Sequence, residues 1–296
     1  MTAAAGHGWK ERGLLVGLGV GWGMTQPLGK IAASTGNGAF GLVFWQLVTV
    51  IVVLGAITAL RGKGTGWRRE HLTFFVMVAL LGTVVPNFTF YTSAARLPSG
   101  IMSIIISTIP MIAFPVNLAL GMDQFTARRL LGLGLGLAGV LLIALPRSSL
   151  PDPAMLAFLP VAMIGPLCYA MENTYVARSG LSGLDPVAAM LGVSLVAVVL
   201  VGAAMLVTGQ GYVPGLGWPD LALVISSAMH GIMYSTFVWL AARTGAVFAS
   251  QSSYITTLSG VTFAMILLGE RPSPWIWAAL VLLLGGMALV KPRQAA

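Results

Sequence analysis

Charge is what this chain has least of. Only 8% of its 296 residues are Asp, Glu, Lys or Arg, against about 25% in a soluble domain. It cannot cover itself with a hydrated surface, which excludes an ordinary soluble fold. Acids are scarcer still: eight, beside sixteen Lys and Arg. Cys168 is the one cysteine, so no disulfide can form within the chain. It reads as a small apolar packing residue. With three histidines and no ligand-like spacing, no metal and no other cofactor is expected. Nucleotide loops are missing as well. Gly23 to Lys30 imitates one, but five residues separate Gly23 from Gly29 where four are needed, and Ile31 follows the lysine.

What is present is apolar sequence, 57% of the chain at a mean hydropathy of +0.91. It falls into ten runs: 13–33, 39–60, 71–94, 98–119, 126–145, 154–177, 186–208, 219–241, 246–268 and 273–291. A helix needs roughly 20 apolar residues to cross a bilayer. Lipid offers no partners to backbone N–H and C=O groups, so the runs must be helices. They are continuous rather than alternating, which argues against a barrel. The expected fold is an all-α membrane protein with ten transmembrane helices. Connections are short, the longest running from Arg61 to Glu70, and leave no room for a soluble domain. Lys10 and Arg12 before an apolar run faintly resemble a signal peptide, but no small-x-small site follows, so the run is read as an uncleaved first helix.

The second half repeats the first at a constant offset of 147 residues. Trp22-Gly23-Met24 falls on Tyr169-Ala170-Met171, Ala94-Ala95-Arg96 on Ala241-Ala242-Arg243, Asp123 on Glu270 and Gly139 on Gly286. The halves are 1–147 and 148–296, with five runs each. Five crossings are an odd number, so the second copy enters the membrane inverted. Two inverted five-helix repeats are the build of a secondary transporter with its site at their interface.

The net charge of +8 sits in loops and is no sign of nucleic-acid binding. With the N-terminus inside, twelve basic residues lie inside: Lys10, Arg12, Arg61, Lys63, Arg68, Arg69, Arg128, Arg129, Arg178, Arg243, Lys291 and Arg293. Four lie outside: Lys30, Arg96, Arg147 and Arg271. This bias places both termini in the cytoplasm. The expected location is the bacterial inner membrane, as a multi-pass protein.

Tyr91 to Ile143 holds Tyr-Thr-Ser-Ala-Ala, a central Pro110, Gly-Met-Asp and a closing Leu-Ala-Gly-Val-Leu-Leu-Ile. Val238 to Val290 holds Leu-Gly-Glu-Arg at 268–271 and ends Gly-Gly-Met-Ala-Leu-Val. Each stretch resembles an EamA domain, and the tandem resembles the drug/metabolite transporter superfamily over essentially the whole chain. The first copy departs from the Leu-Gly-Glu-Arg box, reading Gly121-Met122-Asp123-Gln124. The resemblance implies a carrier of amino acids, metabolites or drugs, with no indication of which.

Polar and aromatic residues inside the runs mark the candidate site. Trp22 and Gln26 are four apart on span 1, as are their equivalents Tyr169 and Asn173 on span 6. Thr83, Asn87 and Tyr91 share a face of span 3; His230 and Tyr234 share one on span 8. Ser103 and Ser107 on span 4 match Ser250 and Tyr254 on span 9. Residues four apart stack on one side of a helix. The expectation is a central cavity lined by spans 1, 3, 4, 6, 8 and 9. Spans 2, 5, 7 and 10 form a scaffold, with Gly132, Gly134, Gly136 and Gly139 allowing close approach on span 5. Substrate-binding candidates are Trp22, Gln26, Asn87, Tyr91, Ser103, Ser107, Tyr169, Asn173, His230, Tyr234 and Tyr254. Glu172, the one acid well inside a span, and His230 are the candidates for proton coupling. A membrane Ser is more often bonded to its own helix than to a ligand. Asp123 and Glu270, at helix ends near arginines, read as ion pairs or caps. Pro27, Pro86, Pro110, Pro115, Pro160 and Pro166 should interrupt their helices.

These features lead to a secondary carrier exporting a small organic solute, an amino acid (an aromatic one included) or related metabolite, by alternating access. The same fold also suits a multidrug or metabolite uniporter, or a proton antiporter. A membrane enzyme acting on lipid-borne substrate is the reading from another class, and the dispersed acids count against it; a channel is disfavoured by the inverted repeat. Partners are a small-molecule substrate and the lipid bilayer, with no nucleic acid. The chain acts as a monomer or homodimer.

Overall fold

A computed structural model describes residues 8–62, 64, 67–146, 148–179, 183–244 and 246–290. Four basic residues of the charge count, Lys63, Arg147, Lys291 and Arg293, lie outside the described residues. Among the described residues there are ten helical passes: α1 Trp9–Ala33, α2 Ala39–Leu60, α3 Arg69–Ala94, α4 Ser99–Ala119, α5 Ala127–Ala144, α6 Leu159–Ser179, α7 Pro186–Thr208, α8 Trp218–Thr244, α9 Ser252–Leu268 and α10 Pro274–Leu289. The 25 residues of α1 and 27 of α8 extend about 37–40 Å at 1.5 Å each, enough to cross a bilayer. No strand occurs among the described residues.

Packing follows the repeat. α1 lies against α8 and α9; shifted by 147 residues these pairs become α6 against α3 and α4, and both are found. The pairs α2–α7, α4–α9 and α5–α10 map onto themselves. That is the contact pattern of a pseudo-twofold axis relating two inverted five-helix units. The face where α1 begins is called the near face below, and the opposite one the far face.

Glycine permits the tightest of these crossings. In α5–α10 a Cβ on Gly286 would stand 2.6 Å from the Gly132 carbonyl oxygen, and one on Gly139 would stand 2.7 Å from Leu283 Cγ. Gly134 is an exception to the expected scaffold role: it is exposed and would meet nothing. Replacing Gly286 by Leu should therefore destabilise the fold by about 1–3 kcal/mol through overpacking, while Gly134→Leu changes nothing. Thermal unfolding of both variants in detergent checks this, and equal melting temperatures would contradict it.

Two prolines coincide with irregular backbone. α3 contains a π-helical segment, Leu80–Val84, directly before Pro86. α4 breaks at Ser107 and Thr108, directly before Pro110. Proline lacks the N–H that would close the preceding turn, and π-turns take up such local mismatch. Pro27, Pro115 and Pro166, by contrast, lie within continuous helices, and Pro160 sits in the first turn of α6. The run 246–268 is not one helix as expected. A short Ala246–Ala249 helix precedes α9, with Ser250 and Gln251 between them, and no proline is involved.

Candidate functional site

The α1–α8 contact assembles the aromatic part of the site. His230 and Tyr234 are one turn apart on α8, and Phe237 continues the same stripe at the next turn. Gly21 on α1 allows the approach: a Cβ there would press into the Met233 side chain. Beside it, the Trp22 ring lies 5.4 Å from Phe237 and 6.3 Å from His230 between centroids, tilted at 57° and 55°. These spacings suit tilted aromatic packing. Trp22, His230, Tyr234 and Phe237 are all half-buried. Phe237 escaped the sequence reading because it is apolar within an apolar helix; its seven-residue spacing from His230 was the available signal.

Across from this stripe, α6 presents Tyr169 and Glu172. The Glu172 carboxylate lies within electrostatic reach of the hydroxyls of Tyr169 and Tyr234. Tyr169 in turn lies within electrostatic range of Tyr91 on α3. Glu172 is 8% exposed and has no hydrogen-bond or ion-pair partner among the described residues. It fits because α3 carries a glycine in its π-turn: a Cβ on Gly82 would stand 2.5 Å from Glu172 Cδ. The sequence reading singled out the carboxylate and missed the glycine that accommodates it.

The amides are less uniform. Gln26 is buried, and its side-chain oxygen has no donor. Asn87 is half-buried. Asn173 is exposed, yet it continues a face of α6 that runs from Ala162 and Pro166, both buried, through half-buried Tyr169. Exposure on this face therefore rises toward the near face. Gln46 on α2 is a further buried amide with an unpaired oxygen. As the one amide on a helix whose other polar side chains are Thr49 and Thr58, it gave no periodic signal.

Ser103 and Ser107 stand apart from this group. The Ser103 hydroxyl donates to the Ser99 carbonyl at 3.1 Å and Ser107 to Ile104 at 2.6 Å. Both are 1% exposed, and Ser103 packs on Gly260 of α9. Tyr254 joins them, packing against the apolar cluster that holds Ile101, Ile105 and Met111. Ser103 and Ser107 form part of a wall between α4 and its neighbours, and Tyr254, in the first turn of α9, packs toward the near face. Their polar stripes point at a neighbouring helix, and side-chain spacing alone does not say what a face meets.

The far half of this wall is densely packed. α4 is buried throughout from Ser99 to Ile105, and α1 on all sides from Gln26 to Gly29. Past its break, α4 buries only Met111 and Phe114. Glu270 fastens this end. Its carboxylate accepts hydrogen bonds from the backbone N–H groups of Ser99 at 2.6 Å and Gly100 at 2.9 Å, a carboxylate on the positive end of α4. Above it a cavity of about 370 Å³ opens between Lys30, Ser34, Arg96, Met155, Leu268 and Glu270. The repeat equivalent, Asp123, sits at the near face. It pairs with Arg129 and accepts from the Gln124 N–H at 2.8 Å.

No group of three or more metal-ligating side chains occurs among the described residues. No curated protein matches the chain. A solved structure, described only as the crystal structure of a protein, superposes with a TM-score of 0.65 at 17% identity, covering 93% of this chain and 94% of its own. That likeness supports the fold alone. The profile of the EamA-like transporter family matches twice, over residues 11–145 and 156–291, one match to each five-helix unit. With nearly the whole sequence inside those two matches, the chain belongs to the EamA-like transporter family, membrane proteins that move small solutes.

Proposed function

We propose that the chain is a secondary carrier exporting a small organic solute, of amino-acid or related-metabolite size, across the bacterial inner membrane by alternating access. The near face is cytoplasmic in this reading, because it carries the N-terminus and most of the loop arginines. One observation supports the proposal: Trp22 meets His230 on the α1–α8 contact, the buried Glu172 is within electrostatic reach of Tyr169 and Tyr234, and exposure along the Tyr169 face of α6 rises toward the near face while α1 and α4 are densely packed in their far halves.

The mechanism follows from that asymmetry. Solute enters from the cytoplasm and lays its apolar part against Trp22, Tyr169, Tyr234 and Phe237. Gln26, Asn87 and Asn173 supply amide contacts to its polar groups. The five-helix units then tilt, the Glu270 clasp on α4 releases, and the far face opens. Glu172 and His230 are the groups for proton coupling, being ionisable side chains within the hydrocarbon layer.

Transport of a panel of radiolabelled solutes in proteoliposomes tests the reading. Saturable counterflow of at least one amino acid or related metabolite, lost in a Trp22→Ala, Tyr234→Ala double variant that still folds, is the expected result. Single-channel currents instead of counterflow would refute a carrier. An imposed pH gradient should accelerate uphill movement; indifference to it would reduce the protein to a uniporter.

A further inference from the structure

Charge is distributed unevenly around the central aromatic cluster. Glu172 is buried, has no hydrogen-bond or ion-pair partner among the described residues, and is seated against Gly82. Among the described residues, the helices packed on α6 place no lysine or arginine beside it; the one arginine of α3, Arg69, stands at that helix's near-face start. α3 brings Gly82, Asn87 and Tyr91; α4 brings Asn117, whose oxygen is taken by the Thr174 hydroxyl at 2.7 Å. α8 brings Tyr234 within electrostatic reach of the carboxylate and, one turn away, His230. The basic residues lie toward the helix ends: Lys30 and Arg96 beside the far-face cavity, Arg129 on Asp123, Arg178 in the last turn of α6. Among the described residues the cluster thus offers one carboxylate and several aromatic rings to a ligand, with no lysine or arginine beside them to receive a ligand's own carboxylate.

We infer that the carried solute is an organic amine, its ammonium group held by Glu172 and its apolar body by the rings of Trp22, Tyr169 and Tyr234. Both kinds of contact favour a cation. A carboxylate bonds an ammonium more strongly than it bonds a neutral donor, and ring faces attract positive charge. A zwitterionic amino acid would leave its carboxylate unpaired among aromatic side chains, which is costly at this depth. The inference rests on the carrier reading and narrows its substrate class.

Three probes that share one ring and differ only in charge test it: phenethylamine, phenylalanine and phenylacetate. Their binding to the purified full chain is measured by isothermal titration calorimetry. Phenethylamine should bind about tenfold more tightly than either of the others. Glu172→Gln, which keeps the side-chain shape, should erase that preference, while Glu172→Asp should retain part of it. Equal or tighter binding of phenylalanine or phenylacetate would overturn the inference, as would unchanged amine affinity in a folded Glu172→Gln protein or no binding of any of the three. The carrier reading has its own test in counterflow with the wider panel, so a protein that moves acids or zwitterions would lose the amine assignment and keep the transport function.

Discussion

Glu270→Ala will loosen the far face. The carboxylate accepts two backbone hydrogen bonds from the start of α4, and it links the α9–α10 connection of one repeat to the α3–α4 connection of the other. Hydrogen bonds to charged groups contribute about 1.5–3 kcal/mol each when well shielded. Glu270 is half-buried, so water recovers part of that on opening, and about 2 kcal/mol for the pair is a fair discount. That corresponds to about a 30-fold shift in the ratio of closed to open far faces. A cysteine placed at Ser103 in a Cys168→Ser background reports it. The position is 1% exposed in the wall behind the clasp. Labelling by an impermeant maleimide added outside should quicken by about that factor in Glu270→Ala. An unchanged rate would show that the clasp does not hold the gate.

The other large effect is expected at Gly23. Gly19 and Gly23 lie four apart on the face of α1 that meets α9, the spacing that lets membrane helices touch backbone to backbone. A Cβ on Gly23 would stand 2.8 Å from the Gly260 backbone nitrogen and would also collide with Ser259. Ser259 itself donates to the Gly19 carbonyl at 3.1 Å, so a displaced α1 loses a cross-repeat hydrogen bond as well. Backbone atoms cannot turn aside as a flexible side chain can. Gly23→Leu should therefore cost upward of about 3 kcal/mol. The measured consequence is loss of the monodisperse peak in size-exclusion chromatography together with loss of transport, and Gly23→Ala should fall between it and the native chain. A Gly23→Leu protein that stays monodisperse and active would show that α1 and α9 are not closely apposed.

The fold was legible because lipid makes the rules few. Length and apolar continuity set the ten passes, and α2 and α7 begin and end at the expected residues. The 147-residue offset carried the inverted symmetry directly. The site was legible in part, for a definite reason. A four-residue spacing shows that side chains share a face, and says nothing of whether that face meets a hollow or another helix. So Trp22 meets His230 on the α1–α8 contact, while Ser103, Ser107 and Tyr254 came from equally regular stripes and pack against neighbouring helices. Gly82 and Phe237 carried no polar label. The π-turn of α3 had only the nearby Pro86 to announce it, and the break before α9 had no marker at all.

Asp123 and Glu270 occupy one position of the repeat and hold different partners, an arginine on the near side and a helix end on the far side. In a carrier of the proposed kind, the resting posture would therefore be weighted by two side chains at opposite membrane faces, away from the proposed cargo contacts. Selection could then retune how long the gate dwells on either side by editing those two codons, leaving the proposed passenger contacts untouched.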